Sequence, residues 1–323
     1  RFESWRGCMI FSLVRMMAGV LALAFVLPFR LGSSKPPERV ELVVLGNVQD
    51  GGAPHIGCGR PCCRNLFLRP RSERRVVSLG LISRAWEETV LFEATPDLPS
   101  QWATLAERSG VPQPSEIFLT HAHMGHYTGL MHLGREALGA EGVRVGAMPR
   151  MAEFLATNGP WSQLVELGNI DVFSLQDERA VSVLHDEVTV TPLRVPHRDE
   201  FSETVGYRIA GPKRTALFIP DIDKWSTWDH SLTQELASVD FAFVDATFYD
   251  ATEVNHRDMS EIPHPFAVET MATLEHLPLT ERSKVHFIHL NHTNPLLDPD
   301  SESSREVESK GFRVAREGMS FEL

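Results

Sequence analysis

The chain lacks several things that would classify it at once. It has no apolar run of about 20 residues, the length a bilayer-spanning helix needs. It has no dense basic tract. The closest, residues 69–75 (RPRSERR), reads as a solvated loop, and a net charge of −12 argues against a nucleic-acid phosphate footprint. From residue 39 onward there is no internal repeat and no low-complexity segment. Cysteine is scarce, four residues in 323, and three of the four fall between positions 58 and 63. What remains is an ordinary globular composition, 42% hydrophobic and 23% charged, with enough apolar residues to bury a core.

The first 38 residues differ from the rest. Residues 18–29 (AGVLALAFVLPF) form a short apolar run preceded by Arg15, Met16 and Met17. The run is too short to span a bilayer comfortably but fits the apolar region of a secretory signal peptide, with translation starting at Met9. Arg30 spoils a small-residue cleavage site, and Gly32-Ser33-Ser34 is the nearest substitute. Cys8 precedes the run, so it is not placed as a lipoprotein cysteine. The expectation is export to the periplasm or anchoring at the membrane. The alternatives are an uncleaved anchor, or a cytoplasmic protein whose start is misread. Residues 33–38 (SSKPPE) read as a linker, leaving one domain over 39–323.

In that domain, strand-like runs fall at 40–45, 76–82, 90–93, 116–119, 143–147, 188–195, 205–209, 216–219, 241–244, 285–289 and 312–315. Helix-like stretches cover 98–108, 126–138, 150–158, 231–238 and 265–275. Strands first, then strands interleaved with helices, suggest two sheets with helices packed outside.

The most informative segment is Thr120-His121-Ala122-His123-Met124-Gly125-His126, a strand-to-helix turn with three histidines. Extended residues alternate faces, so His121 and His123 point the same way, and His126 can swing in from the first helical turn. Neutral imidazole is the commonest metal ligand. Four further apolar runs end on a ligand type: at His197; at Asp221, followed by Asp223; at Asp245; and at His289, with His292 three residues later. Polar residues at strand ends gather along one rim of a sheet. Singly each reads as a hydrogen-bonded histidine or a turn aspartate; jointly they read as a metal site.

The order His-x-His-x-x-His, then His, Asp and His resembles the metallo-β-lactamase superfamily. Several phrases resemble its PqqB-like branch, named for a protein of pyrroloquinoline quinone biosynthesis: residues 49–58 (QDGGAPHIGC), 125–130 (GHYTGL), 219–221 (IPD), 245–248 (DATF) and 287–295 (FIHLNHTNP). The resemblance implies an α/β (α+β) four-layer αββα sandwich with the site on one edge. It implies a first metal held by His121, His123 and His197, a bridging Asp221, and a second metal at His126 and His289. The superfamily's hydrolases carry Asp where this chain has Gly125. The second ion therefore loses a carboxylate, and it either binds weakly or is absent, leaving His121, His123, His197 and Asp221. The ligand types suit Zn²⁺, Mn²⁺ or Fe²⁺.

Cys58, Cys62 and Cys63 suggest a structural Zn²⁺ site that needs a fourth ligand. Related proteins carry Cys-x-Cys-x-x-Cys here; Arg60 takes the middle position in this chain and Cys62 is the replacement. In the related phosphonate-pathway cyclic phosphodiesterases a histidine three residues past the active-site histidine completes the zinc, which implies His292 as the fourth ligand, with His55 as the local alternative. A disulfide is the competing reading, in an oxidising compartment.

The expected function is a metal-dependent hydrolase acting on a small ester or phosphodiester-type substrate through activated water. Asp221 would orient or deprotonate the water, and His264 would protonate the leaving group. One alternative is an iron-dependent oxygenase related to quinone biosynthesis, against which His121 and His123 look more like the hydrolase pattern. The other is a non-catalytic metal-binding scaffold. No nucleic-acid partner is expected.

Overall fold

The computed structural model describes residues 39–69, 74–254 and 258–323. The signal-like or anchor segment lies outside the described residues, as does part of the basic stretch. The chain divides into two units, Arg1–Pro36 and Pro37–Leu323, and all described residues belong to the second. Among them no helix is long and apolar enough to cross a membrane.

Among the described residues, fourteen strands form two seven-stranded sheets. The first six are β1 (Val40–Gly46), β2 (Ser78–Ser83), β3 (Glu88–Phe92), β4 (Glu116–Phe118), β5 (Val143–Ala147) and β6 (Ile170–Ser174). Next come β7 (Val181–Val183), β8 (Val188–Arg194), β9 (Val205–Ala210), β10 (Thr215–Ile219), β11 (Phe241–Asp245), β12 (Val285–Ile288) and β13 (Arg313–Val314). These seven make the second sheet, in the order β13-β12-β11-β10-β9-β8-β7. The last strand, β14 (Ser320–Glu322), returns to the first sheet, whose order is β14-β1-β2-β3-β4-β5-β6. Strands β3 to β6 run parallel, as do β10 to β13, so their carboxyl ends meet along common rims.

The alternation of side chains sorts the core into three layers. In β1, Val40, Leu42 and Val44 face the second sheet, where they join Phe92, Phe118, Tyr207 and Phe218. Their neighbours Val43 and Leu45 face outward, onto the helices Leu98–Ser109 and Pro149–Thr157. On the far side, Leu217, Ile219, Val244 and Phe287 pack under the helices Leu232–Ala237, Ala267–Leu274 and Glu302–Ser309. The result is the four-layer αββα sandwich that the resemblance implies.

Two differences from the sequence reading have physical causes. The helix expected over 126–138 is one α turn, Met124–Tyr127, continued by the 3₁₀ segment Thr128–Leu133. The Gly129 N–H bonds outward to the Ala94 carbonyl at 2.8 Å, so the i→i−4 ladder is not continued there. Strands β6, β7 and β14 escape sequence detection because they are short and half-exposed.

His286 in β12 is 7% exposed and packs against Phe243 and Phe321, with ring centroids at 5.3 and 5.1 Å. Burial pushes its pKa down to about 4, and Arg313 adds to this against the opposing bond to the Lys284 carbonyl. Between pH 6.5 and about 4 the unfolded chain binds a proton that the fold does not, so stability falls as pH falls through that window. His286→Gln is expected to remove on the order of 3 kcal/mol of this acid-dependent loss. Urea unfolding midpoints of the two proteins at pH 7 and pH 4.5 check it; parallel shifts would refute it.

Candidate metal centre

Asp221 follows β10 through Pro220 and is 3% exposed. Four imidazole Nε2 atoms approach its Oδ2: His197 at 3.2 Å, His121 at 3.4 Å, His126 at 3.8 Å and His289 at 3.9 Å. Its Oδ1 lies 3.2 Å from His264 Nδ1. His123 enters through Nδ1, which is 2.8 Å from His121 Nε2 and 3.3 Å from His197 Nε2. These residues come from the ends of β4, β8, β10 and β12 and from the loop after β11, so the rim anticipated from strand-end polarity is where the side chains meet.

A second layer fixes which nitrogen each ring presents. Thr120 Oγ1 lies 2.9 Å from His121 Nδ1, Asp223 Oδ1 3.0 Å from His197 Nδ1, and Thr247 Oγ1 2.9 Å from His289 Nδ1. Glu93 Oε1 is 3.5 Å from His126 Nδ1. Outer partners of this kind set tautomer and ring orientation, here leaving each Nε2 directed inward. Glu93 and His289 both have left-handed backbone, with φ of 77° and 62°. For non-glycine residues that conformation is strained, and it is held by the surrounding structure at the rim.

The site's electrostatics suit a cation. Burial, with the charge of His126 adding to it, holds His121 well below the ordinary histidine pKa, in the neutral ligating form. Burial works to raise Asp221, yet the charges of His264 and His289 and the bonds from His121 and His197 hold it well below the carboxylate range. Among the described residues, His126 Nε2, His289 Nε2 and Asp221 Oδ1 are buried with no hydrogen-bond partner. Orphaned buried donors and acceptors are costly, and here all three belong to groups directed at one centre. The residues present therefore fit a metal ion.

The ligand atoms fall into two groups, each with all atoms within 4.8 Å of one another: His121, His123, His197 and Asp221; and Asp221, Asp245, His264 and His289. The first is the set expected from sequence. The second differs, because Asp245 and His264 stand beside Asp221 and His289 while His126 sits behind them against Glu93. The oxygens of Asp245 are already engaged. Oδ1 accepts from the Thr247 N–H and hydroxyl at 2.8 and 2.7 Å, and Oδ2 is 2.9 Å from His264 Nδ1. Asp245 thus buttresses His264, and the open donors remain on His126, His289 and Asp221. Asp223 orients His197, whereas Glu200 is half-exposed, 3.5 Å from His123 Nε2. Sequence reading missed Glu93, Thr120 and Thr247; Glu93 carried the same signal as the others, an acidic residue ending an apolar strand.

The cysteines form a separate cluster. Cys58, Cys62, Cys63 and His292 bring their ligand atoms within 4.8 Å of one another, and the three thiols are free. His292, rather than His55, supplies the fourth group. His55 stacks on the His292 ring at 4.5 Å, and its backbone N–H donates to Cys63 Sγ at 3.3 Å. Burial pushes the Cys63 thiol up to about 12, and the neighbouring Cys58 and Cys62 push the same way against the His55 bond. Packed thiols resist ionising together, and a coordinated cation reverses that.

Comparisons with known proteins bear on this architecture. A family profile described as "Beta-lactamase superfamily domain" matches residues 88–290. The chain is 27% identical over 314 residues to "Coenzyme PQQ synthesis protein B" of Methylobacterium nodulans, covering 88% of this chain and 100% of that protein. The crystal structure of Zn²⁺-bound PqqB from Methylobacterium extorquens is similar with a TM-score of 0.71 at 20% identity, over 88% of this chain and 100% of that one. A diphosphatase of the PhnP family is similar with a TM-score of 0.61 at 22% identity, over 88% and 97% of the two chains. The profile match, over more than half of the chain, shows that this chain belongs to the beta-lactamase superfamily, and in sequence and fold it is similar to PqqB proteins.

Proposed function

We propose that this chain is a metal-dependent hydrolase of a small ester or phosphodiester-type substrate. The observation that carries the reading is the convergence of His121, His126, His197 and His289 on one buried carboxylate, with His123 against His121 and His197 and open Nε2 atoms on His126 and His289. His121, His123, His197 and Asp221 would hold one ion, and His126, His289 and the shared Asp221 a second. When bound, such ions lower the pKa of a water toward ~7 and polarise the attacked carbonyl or phosphoryl oxygen. Asp221, whose Oδ2 faces the histidines of both groups while Oδ1 faces His264, would orient that water or take its proton.

His264 is suited to protonate the leaving group. Its Nδ1 is fixed between Asp245 at 2.9 Å and Asp221 at 3.2 Å, which reserves Nε2 for proton delivery. Its side chain is 14% exposed, whereas His121, His126, His197 and His289 are buried. A proton donor held by two carboxylates is the arrangement general acid catalysis needs. The similarity to a diphosphatase supports the phosphoester class, and the Zn²⁺-bound PqqB structure supports zinc. The cysteine cluster is read as a structural zinc site separate from the reaction. A second reading, an oxygen-dependent iron enzyme of quinone-cofactor synthesis, draws on the names of the curated relatives.

Elemental analysis of protein prepared without chelator, with turnover of bis(p-nitrophenyl) phosphate, separates the two. Zinc or manganese at the centre with turnover is expected; one iron with oxygen consumption would replace the hydrolase by the oxygenase. His264→Gln is expected to lower kcat by about 10²-fold or more at unchanged metal content. A parallel loss of metal would make His264 a ligand instead of a proton donor. Cys63→Ser is expected to lose one zinc per chain and melt several degrees lower; a full zinc complement in that variant would count against the structural site.

A further inference from the structure

Gly125 stands where the superfamily's hydrolases carry an aspartate, and the structure shows what fills the space. A Cβ built on Gly125 would lie 1.9 Å from the Cβ of Asp50, 2.4 Å from its Cα and 3.0 Å from its carbonyl oxygen. No side chain fits at 125 while Asp50 is there. The intruding group is itself an acidic residue whose Cβ lies almost where that of a motif aspartate would begin.

Asp50 is held in place by backbone bonds to the rim. The Gln49 N–H donates to the Leu290 carbonyl at 2.9 Å, and the Leu290 N–H donates to the Asn47 carbonyl at 2.8 Å. Val48 bridges both Val76 and Leu290, and Asn47 Nδ2 donates to the Ala315 carbonyl at 2.8 Å. The loop carrying Asp50 is therefore stitched to the residue directly after His289. Beside it His126 is fully buried, with Nδ1 and Nε2 both lacking hydrogen-bond partners.

We propose that Asp50 supplies, from the loop after β1, the carboxylate that Gly125 removes, completing a second metal position with His126, His289 and Asp221. The inference rests on the dinuclear form of the hydrolase reading. On this reading the carboxylate missing at 125 is supplied from another loop, and Gly125 is the space that loop needs. Uncharged nitrogen ligands and one shared carboxylate leave a divalent ion undercompensated in a dry site, and a further carboxylate offsets that charge.

The test is metal stoichiometry of the full chain by elemental analysis after gel filtration, paired with calorimetric titration of Zn²⁺. The wild type is expected to hold three zinc ions, two at the centre and one at the cysteines. Asp50→Asn, which keeps the side-chain volume, is expected to hold one fewer, or to bind it at least ~10-fold more weakly. Gly125→Asp alone is expected to lower the melting temperature through the overlap with Asp50. A wild type with only one ion at the centre, or an Asp50→Asn protein that keeps both at wild-type affinity, overturns the proposal. If Asp50→Asn loses one ion but the wild type turns over no phosphodiester, the ligand assignment stands and the hydrolase reading alone falls.

Discussion

The structure is organised around one buried negative charge. Asp221 lies almost wholly out of water with four imidazole nitrogens between 3.2 and 3.9 Å of one oxygen. An ionised carboxylate in such surroundings is tolerated only with close partners. Those partners come from both sheets, so the sheets must present their strand ends to a common rim. The Val205 N–H donates to the Thr120 carbonyl at 3.1 Å, and the Tyr207 hydroxyl donates to the Leu119 carbonyl. Both bonds tie the second sheet to the histidine turn of the first. Registry between the sheets and the shape of the centre are in this sense one constraint.

The same economy links the centre to the cysteine cluster. His289 and His292 leave the end of β12 three residues apart, one into each site. The intervening Leu290 is bonded to the loop after β1, and the Asn291 N–H donates to the Thr247 carbonyl at 2.9 Å. The left-handed backbone of His289 thus lies in a stretch held by these bonds on one side and by the His292 cluster three residues on. A structural ion at the cysteines would buttress the rim where the centre's ligands are aimed, with no need to touch the chemistry itself.

Much of this was legible in the sequence, for identifiable reasons. Long apolar runs ending on His or Asp announce buried strands and ligands together, which is why His121, His123, His197, Asp221 and His289 stand out without coordinates. The central strands were readable because both faces are buried; β6, β7 and β14 were not, because short half-exposed strands carry little periodicity. Glu93 was hidden by being a single acidic residue at a strand end, a pattern with many innocuous causes. The identity of the second group of ligands was hidden for a different reason. Spacing along the chain shows that Gly125 removes a carboxylate, but only the fold shows that the loop after β1 passes through the vacated volume. Contacts between residues 75 positions apart leave no local trace in one sequence.

The overlap of Asp50 with position 125 also constrains how such a chain can change over time. A protein with aspartate at both positions must place two Cβ atoms within 1.9 Å of each other, and one with glycine at both has neither carboxylate. Because the Cα of Asp50 would also lie 2.4 Å from a Cβ at 125, glycine at 50 does not by itself make room there. A side chain at 125 needs the loop after β1 to take another course, so the two positions change together only when that backbone moves as well.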